Sequence, residues 1–276
     1  MTPMLQIDGL RAAYTTRKRF ARQQVEVLHG VSLDVEVGSC VGLVGESGSG
    51  KTTLGRSILG LADVTGGEIS FEGRSLLGLP RRQRRSVAKD IQVVFQDPYT
   101  SLNPAMTVSE ILCEPLIAQG SSRGDAQRRV RSLLEQVGLP SDAAERNPRD
   151  FSGGQRQRVA IARALALDPK LVICDEPVSA LDLTTQAQVL ELLIDIQERT
   201  GVAYLFITHD LSVVRHMCHR VAVMYRGEII EAGDVRQVTE DPRDEYTRML
   251  LLSSPVADPD EQARRRAERR ELLRQA

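Results

Sequence analysis

Gly45-Glu46-Ser47-Gly48-Ser49-Gly50-Lys51-Thr52 decides the fold of this chain. It follows Ser39-Cys40-Val41-Gly42-Leu43-Val44, a short apolar run that reads as a buried strand. It precedes Thr53-Leu54-Gly55-Arg56-Ser57-Ile58-Leu59-Gly60-Leu61, which reads as a helix with Leu54, Ile58 and Leu61 on one face. Strand, glycine loop and helix in that order are the context a phosphate-binding loop needs. Glycines let backbone N–H groups curl around an anion without Cβ clashes, and the helix start adds the positive end of its dipole. In that reading Gly45, Ser47, Gly48, Ser49 and Gly50 form the cradle and Thr53 borders it. Lys51 reaches the β- and γ-phosphates of a nucleotide, and Thr52 offers its hydroxyl to Mg²⁺. Eight residues alone also fit a glycine-rich turn that binds nothing, so the rest of the chain carries the decision.

The chain has 276 residues, long enough for one large α/β domain or two small ones, and its 41% hydrophobic and 26% charged content suits a soluble globular protein with an adequate core. A net charge of −1 gives no reason to expect nucleic acid as a partner. The basic side is nearly all arginine, with lysine only at Lys18, Lys51, Lys89 and Lys170, so one of few lysines falls in the glycine loop. There a compact point charge suits phosphate. No apolar run approaches the ~20 residues a bilayer span needs, and the N-terminus lacks a signal-peptide pattern. The expectation is a cytoplasmic protein that meets a membrane only through a partner. Cys40, Cys113, Cys174 and Cys218 are scattered without a CxxC pair, which argues against a zinc site, an iron–sulfur cluster or a disulfide framework. Cys40 and Cys174 lie in apolar runs and read as small core residues.

Before the loop, residues 5–37 read as short strands around a polar stretch, Thr15 to Gln24, expected to be an exposed loop. Tyr14 fits either an adenine-stacking ring or an ordinary strand aromatic. After the loop, Gly66 to Gly73 reads as a strand, and Arg81-Arg82-Gln83-Arg84-Arg85 as a solvated helix face, since no aromatics interleave for nucleic acid. Ile91 to Gln96 is a strand stopped by Asp97-Pro98. Residues 97–150 turn loop-rich and then helical, with Val130, Leu133, Leu134 and Val137 at i, i+3, i+4 and i+7. They predict a helical subdomain, about 97–165, inserted in the sheet core and returning through Gly153-Gly154. Alternation then resumes: a strand at Leu171 to Cys174, a helix over 184–199 and a strand at Ala203 to Thr208. A helix from Asp210 and strands at Val221 to Tyr225 and Glu228 to Glu231 follow. Apolar strands alternating with helices predict an α/β fold, a mostly parallel sheet covered on both faces. The expected organisation is one domain over 1–254 and a charged tail, helical or disordered, over 255–276.

In open parallel sheets, ligands bind beyond the carboxyl ends of the strands. Four polar positions fall at such ends: the glycine loop from Gly45, Gln96, Asp175-Glu176 and His209. Singly each has an ordinary reading, as a loop hydrogen bonder, a turn cap or a structural histidine. Jointly they predict one nucleotide site. Asp175 can hold Mg²⁺ through water, and Gln96 can give a neutral oxygen to the metal or the water. Glu176 can act as general base on the attacking water, and His209 can donate to the γ-phosphate as charge builds.

At these residues the chain resembles the ATP-binding-cassette family, from about Leu5 to Leu252. Phe151-Ser152-Gly153-Gly154-Gln155 is similar to that family's signature motif, Ser179-Ala180-Leu181-Asp182 to its inter-subunit loop, and Thr208-His209-Asp210 to its histidine switch. Tyr14 matches the adenine-stacking aromatic. The resemblance implies a P-loop NTPase core with an N-terminal antiparallel β subdomain and an inserted α-helical signature subdomain. It also implies two cassettes head to tail, ATP and Mg²⁺ on one facing Ser152-Gly153-Gly154-Gln155 and Asp182 of the other. Binding closes that pair and hydrolysis reopens it.

Phe95-Gln96-Asp97-Pro98-Tyr99-Thr100-Ser101-Leu102-Asn103-Pro104 resembles the peptide and nickel importer branch, as does Asp241-Pro242 to Tyr246-Thr247-Arg248. Two departures stand out: Arg149-Asp150 where His-Glu is usual, and Asp244-Glu245 where His-Pro is usual. The branch's cysteine-bearing extension is absent. The resemblance therefore implies an ATPase subunit peripheral to the cytoplasmic face of the cell membrane. Its implied partners are a second cassette, identical or paralogous, two integral membrane permease subunits, one of which sends a cytoplasmic helix into a groove near Gln96 to Glu114, and an extracytoplasmic solute-binding protein; nucleic acid is not among them. The alternatives are a cassette of a soluble carbon–phosphorus lyase assembly and, disfavoured by the single motif set, a translation or DNA-repair cassette.

Overall fold

The computed structural model describes residues 3–18, 21–97, 101–253 and 258–275. Its elements open with β1 (Leu5–Lys18), β2 (Ala21–Val35), β3 (Cys40–Val44), α1 (Lys51–Ile58), β4 (Asp63–Phe71) and β5 (Arg74–Ser75). Then come α2 (Arg81–Asp90), β6 (Ile91–Val94), α3 (Val108–Ala118), α4 (Arg123–Gln136), α5 (Gly153–Ala164) and β7 (Leu171–Asp175). The chain continues with α6 (Leu183–Thr200), β8 (Ala203–Thr208), α7 (Leu211–Met217), β9 (Arg220–Tyr225) and β10 (Glu228–Asp234). It closes with α8 (Val235–Glu240), α9 (Glu245–Ser253) and α10 (Pro259–Gln275). None of the described helices is long and apolar enough to cross a membrane.

Two compact units divide the chain. The first comprises Met1–Asp34, Cys40–Leu77 and Phe206–Ala276; the second comprises Val35–Ser39 and Gly78–Leu205. Strand β8 contributes residues 206–208 to the first and 203–205 to the second.

The first unit holds an antiparallel sheet in the order β2-β1-β4-β5. Strand β1 pairs with β4 from Leu5↔Phe71 and Ile7↔Ile69, and these four residues are buried. A register shift between Asp8 and Arg11 then changes the parity of the inward face from Leu5 and Ile7 to Leu10 and Ala12. One extra residue in a period-two strand does this, and it keeps both halves of β1 apolar on the same side. The unit's second set of strands runs β10-β9-β3-β8. Strand β3 is buried along its length and parallel to β9, from Val41↔Arg220 to Val44↔Val223, as its unbroken apolar run predicts. Strands β9 and β10 pair antiparallel through the two-residue turn Arg226-Gly227, whose φ angles of 46° and 85° suit the right-handed twist of a tight hairpin.

Helix α1 is shorter than its pattern suggested. It stops at Ile58, and Leu61, expected on its apolar face, is 64% exposed. Gly60 adopts φ 67°, and the N–H groups of Gly60 and Leu61 donate to the carbonyls of Ser57 and Arg56. That paired closure ends a helix by reversing the chain, whatever the hydrophobic period beyond it. A second correction concerns Thr15 to Gln24, expected as a loop: β1 continues to Lys18 and β2 begins at Ala21, while residues 19 and 20 lie outside the described residues. Strand ladders use backbone groups, so polar side chains do not prevent them.

In the second unit the strands follow the order β8-β7-β6, with β6 and β7 parallel from Ile91↔Leu171 to Val94↔Cys174. Val130, Leu133, Leu134 and Val137 are all buried, as the stripe along α4 requires, and so are Val189, Leu192, Leu193 and Ile196 of α6. Tyr204 is fully buried and donates its hydroxyl to the Leu193 carbonyl at 3.1 Å, satisfying its polar tip inside the core. All four cysteines are buried thiols without a disulfide. In the tail, α10 is a helix; residues 254–257 and 276 lie outside the described residues.

Candidate functional site

In the first unit, residues 45–50 run from the end of β3 to the start of α1. Gly50 is the N-cap at φ 113°, and no side chain caps α1. A Cβ there would sit 2.9 Å from Leu28 Cδ2, so glycine is required by backbone and space together. A helix start without a side-chain cap keeps its first-turn N–H donors for another acceptor. Lys51 is 5% exposed, and its ammonium rests on two carbonyls of its own loop, Gly45 O at 2.8 Å and Glu46 O at 2.9 Å. Ser49 Oγ is buried with no hydrogen-bond partner. A buried ammonium, an orphaned hydroxyl and an uncapped helix start together fit a phosphate group.

The loop is tied on both flanks. Gly227 N–H, in the β9–β10 turn, donates to Ser49 O at 2.8 Å. Glu46 N–H donates to the hydroxyl of Tyr246 on α9 at 3.0 Å. Burial pushes the Tyr246 phenol up from its ordinary value. Its ring packs on Tyr225, centroids 4.2 Å apart and tilted by 38°. Strand β1 brings Tyr14 to the first turn of α1, its hydroxyl 3.4 Å from Thr53 Oγ1. His209 is exposed just beyond β8, and Asp210 caps α7 by accepting from Ser212 N at 2.8 Å.

Behind Tyr246, the carboxylate of Glu231 is 8% exposed and accepts from the N–H groups of Arg243 at 2.9 Å and Asp244 at 3.1 Å. Burial, the largest single influence, raises its carboxyl; the hydrogen bonds, led by that from Arg243, outweigh it and leave the group below its ordinary value. Asp244, one of the two departures in this segment, accepts from Tyr246 N at 2.8 Å and so seats the tyrosine at the start of α9.

In the second unit, Asp175 ends β7 and Glu176 follows at φ 49°. That left-handed backbone is unusual for glutamate and carries strain typical of functional positions. The turn is braced by Ser179, whose N–H and hydroxyl donate to Glu176 O at 3.3 and 3.1 Å. Gln96, two residues beyond β6, donates its amide to Glu176 Oε2 at 3.2 Å. Those two predicted catalytic residues therefore meet.

Ser152 is the N-cap of α5. Its hydroxyl accepts from Gln155 N at 3.3 Å, and Gln155 Oε1 accepts from Ser152 N at 3.0 Å, a reciprocal box around Gly153 and Gly154. Asp182 caps α6, accepting from Thr185 N at 3.0 Å and Thr185 Oγ1 at 2.7 Å. The Thr185 hydroxyl, then its N–H, hold the Asp182 carboxyl below its ordinary value. The Arg149-Asp150 departure closes a 3₁₀ turn, with Asp150 accepting from Asn147 N at 3.0 Å and Arg149 O accepting from Arg156 at 3.1 Å. Pro98, Tyr99 and Thr100 of the branch motif lie outside the described residues.

Tyr246 and Tyr225 did not emerge as site residues from local pattern. Glu46 and Tyr246 are 200 positions apart, and no local signal links them.

The profile of the ABC transporter family matches residues 28–179. The chain is 47% identical over 268 residues to the glutathione import ATP-binding protein GsiA of Salmonella paratyphi A, covering 96% of this chain and 43% of GsiA. It is 48% identical over 265 residues to a Brucella ovis protein named, by inference, for peptide import ATP binding, covering 96% of this chain and 82% of that protein. Among solved structures, cbiO1 of Clostridium perfringens, part of an ABC transporter complex, aligns at TM-score 0.77 and 26% identity over 87% of this chain and 91% of its own. The cassette MJ0796, dimeric and bound to ADP and Pi, aligns at TM-score 0.74 and 30% identity over 84% of this chain and 99% of its own.

Proposed function

We propose, because this chain belongs to the ABC transporter family, that it binds and hydrolyses ATP as one of a pair of cassettes and drives import of a peptide or related solute. The observation that carries the ATP reading is the glycine loop, with a buried lysine, a partnerless buried hydroxyl and an uncapped helix start in one turn. Gly45, Ser47, Gly48, Ser49 and Gly50 would surround the phosphates, Lys51 would neutralise their charge, and Tyr14 with Thr53 would border the adenosine. Thr52, Gln96 and Asp175 would hold Mg²⁺, which when bound neutralises charge between the β- and γ-phosphates. Glu176 accepts the proton of the attacking water, and Gln96 orients its carboxylate through the 3.2 Å hydrogen bond. His209 donates to the γ-phosphate. Ser152, Gly153, Gly154, Gln155 and Asp182 would serve the nucleotide of the partner cassette, and the helical stretch 97–165 would be the insertion that carries the first four.

On this reading the subunit sits on the cytoplasmic face of the membrane and works with two permease subunits and an extracytoplasmic solute-binding protein. The relatives' names, glutathione import and peptide import, favour a peptide as the solute over nickel, and an importer over a soluble lyase assembly. Glu176→Gln in the purified complex is expected to keep MgATP binding while phosphate release falls by about 10²–10⁴. Near-normal hydrolysis would remove Glu176 as the base. Isolation from detergent-solubilised membranes should bring integral membrane subunits with the chain; soluble lyase subunits alone would move the assignment to the alternative.

A further inference from the structure

The Gly45–Glu46 peptide unit is gripped at both ends. Its carbonyl, Gly45 O, accepts from Lys51 Nζ at 2.8 Å, and its N–H, on Glu46, donates to the Tyr246 hydroxyl at 3.0 Å. Lys51 Nζ has three donors, and Gly45 O and Glu46 O take two of them; a phosphate that draws the ammonium's charge weakens its hold on this carbonyl. With the ammonium drawn toward an anion, the Tyr246 hydroxyl still holds the N–H side of the peptide.

We propose that Tyr246 is a positioning residue for nucleotide binding: a strut from the C-terminal segment that fixes the Gly45–Glu46 peptide while Lys51 engages a phosphate. The strut is itself seated. Tyr246 N donates to Asp244 Oδ1 at 2.8 Å, Asp244 N donates to the buried Glu231 carboxylate at 3.1 Å, and the Tyr246 ring leans on Tyr225. Tyr225 ends β9, whose turn to β10 also bonds the loop through Gly227 N and Ser49 O. Glu46 and Ser49, the two flanks of the cradle, are thus both held by residues from beyond position 220. A loop held in its binding shape before the ligand arrives loses less conformational entropy on binding, and so binds more tightly.

The inference rests on the ATP reading above. Its test is Tyr246→Phe in the full chain, which deletes the accepting oxygen and keeps the ring on Tyr225. Glu46 amide exchange without nucleotide should quicken, and Kd for MgATP should rise, each by about threefold to tenfold, the range set by one net hydrogen bond. Turnover at saturating MgATP should stay near wild type, a Kd-against-kcat split that general loosening does not give, and the urea midpoint should fall by no more than that one bond accounts for. Unchanged Glu46 exchange and unchanged Kd overturn the strut, as does a lowered urea midpoint with Glu46 exchange unmoved. Should Tyr246→Phe misfold, Asp244→Ala decides, because it unseats the tyrosine without touching the loop and should move both readouts in the same direction. If the wild-type chain fails to bind MgATP, the ATP reading falls, and the exchange measurement still judges the contact.

Discussion

Helices α1 and α5 both begin at glycines, and they solve the same terminal problem differently. At α1 the cap is Gly50, with no side chain to accept from the first turn, and the loop before it carries a buried lysine and an orphaned serine hydroxyl. At α5 the cap is Ser152, and its hydroxyl and the Gln155 amide oxygen each accept an N–H of the turn. The first start has no acceptor side chain of its own; the second satisfies two of its N–H groups, those of Ser152 and Gln155, from within. What differs is where the stabilising partner comes from. Helix α1 draws on ligand and on remote chain, whereas α5 draws on residues three positions apart.

Substitutions at the two starts should therefore act on opposite observables. Lys51→Ala should weaken MgATP binding by about tenfold to a hundredfold, since charge-assisted bonds are the strong ones. Equilibrium binding with labelled ATP measures it, and retained affinity would erase the distinction. Ser152→Ala should do the reverse: cost about 0.5–2 kcal/mol of stability by urea titration, yet leave MgATP binding by the single chain unchanged.

The smallest effect is expected behind the Tyr246 strut. The Glu231 carboxyl lies below its ordinary value when folded, so the stability it contributes is fully present above that ordinary value and is lost as pH falls through the lowered folded one. Glu231→Gln should thus melt lower than wild type at pH 7, by about 2–4 °C, with the gap closing in acid. A gap that persists unchanged to pH 3 would mean the charge contributes nothing.

Legibility from sequence followed the range of the interaction. The strand–loop–helix at 39–58 and the α4 stripe are local, and each was readable because neighbouring residues settle it. Leu61 misled because a hydrophobic period does not register the reversal at Gly60. Residues 15–18 and 21–24 looked like loop because ladder bonds leave no side-chain signature. The Glu46–Tyr246 contact and the Glu231 anchor were beyond reach, since they join positions 200 and 12 residues apart. Asp244, legible only as a departure from a branch pattern, turns out to be the residue that caps α9 and seats the tyrosine.

Glu176 combines a left-handed backbone with the carboxylate assigned to proton removal. Glycine or asparagine adopts that backbone at less cost, so a campaign selecting this chain for heat resistance alone would be drawn toward replacing it. Such a winner would express well, melt later and idle. Directed evolution of this chain therefore has to score turnover alongside ruggedness, because at position 176 the two pull in contrary directions.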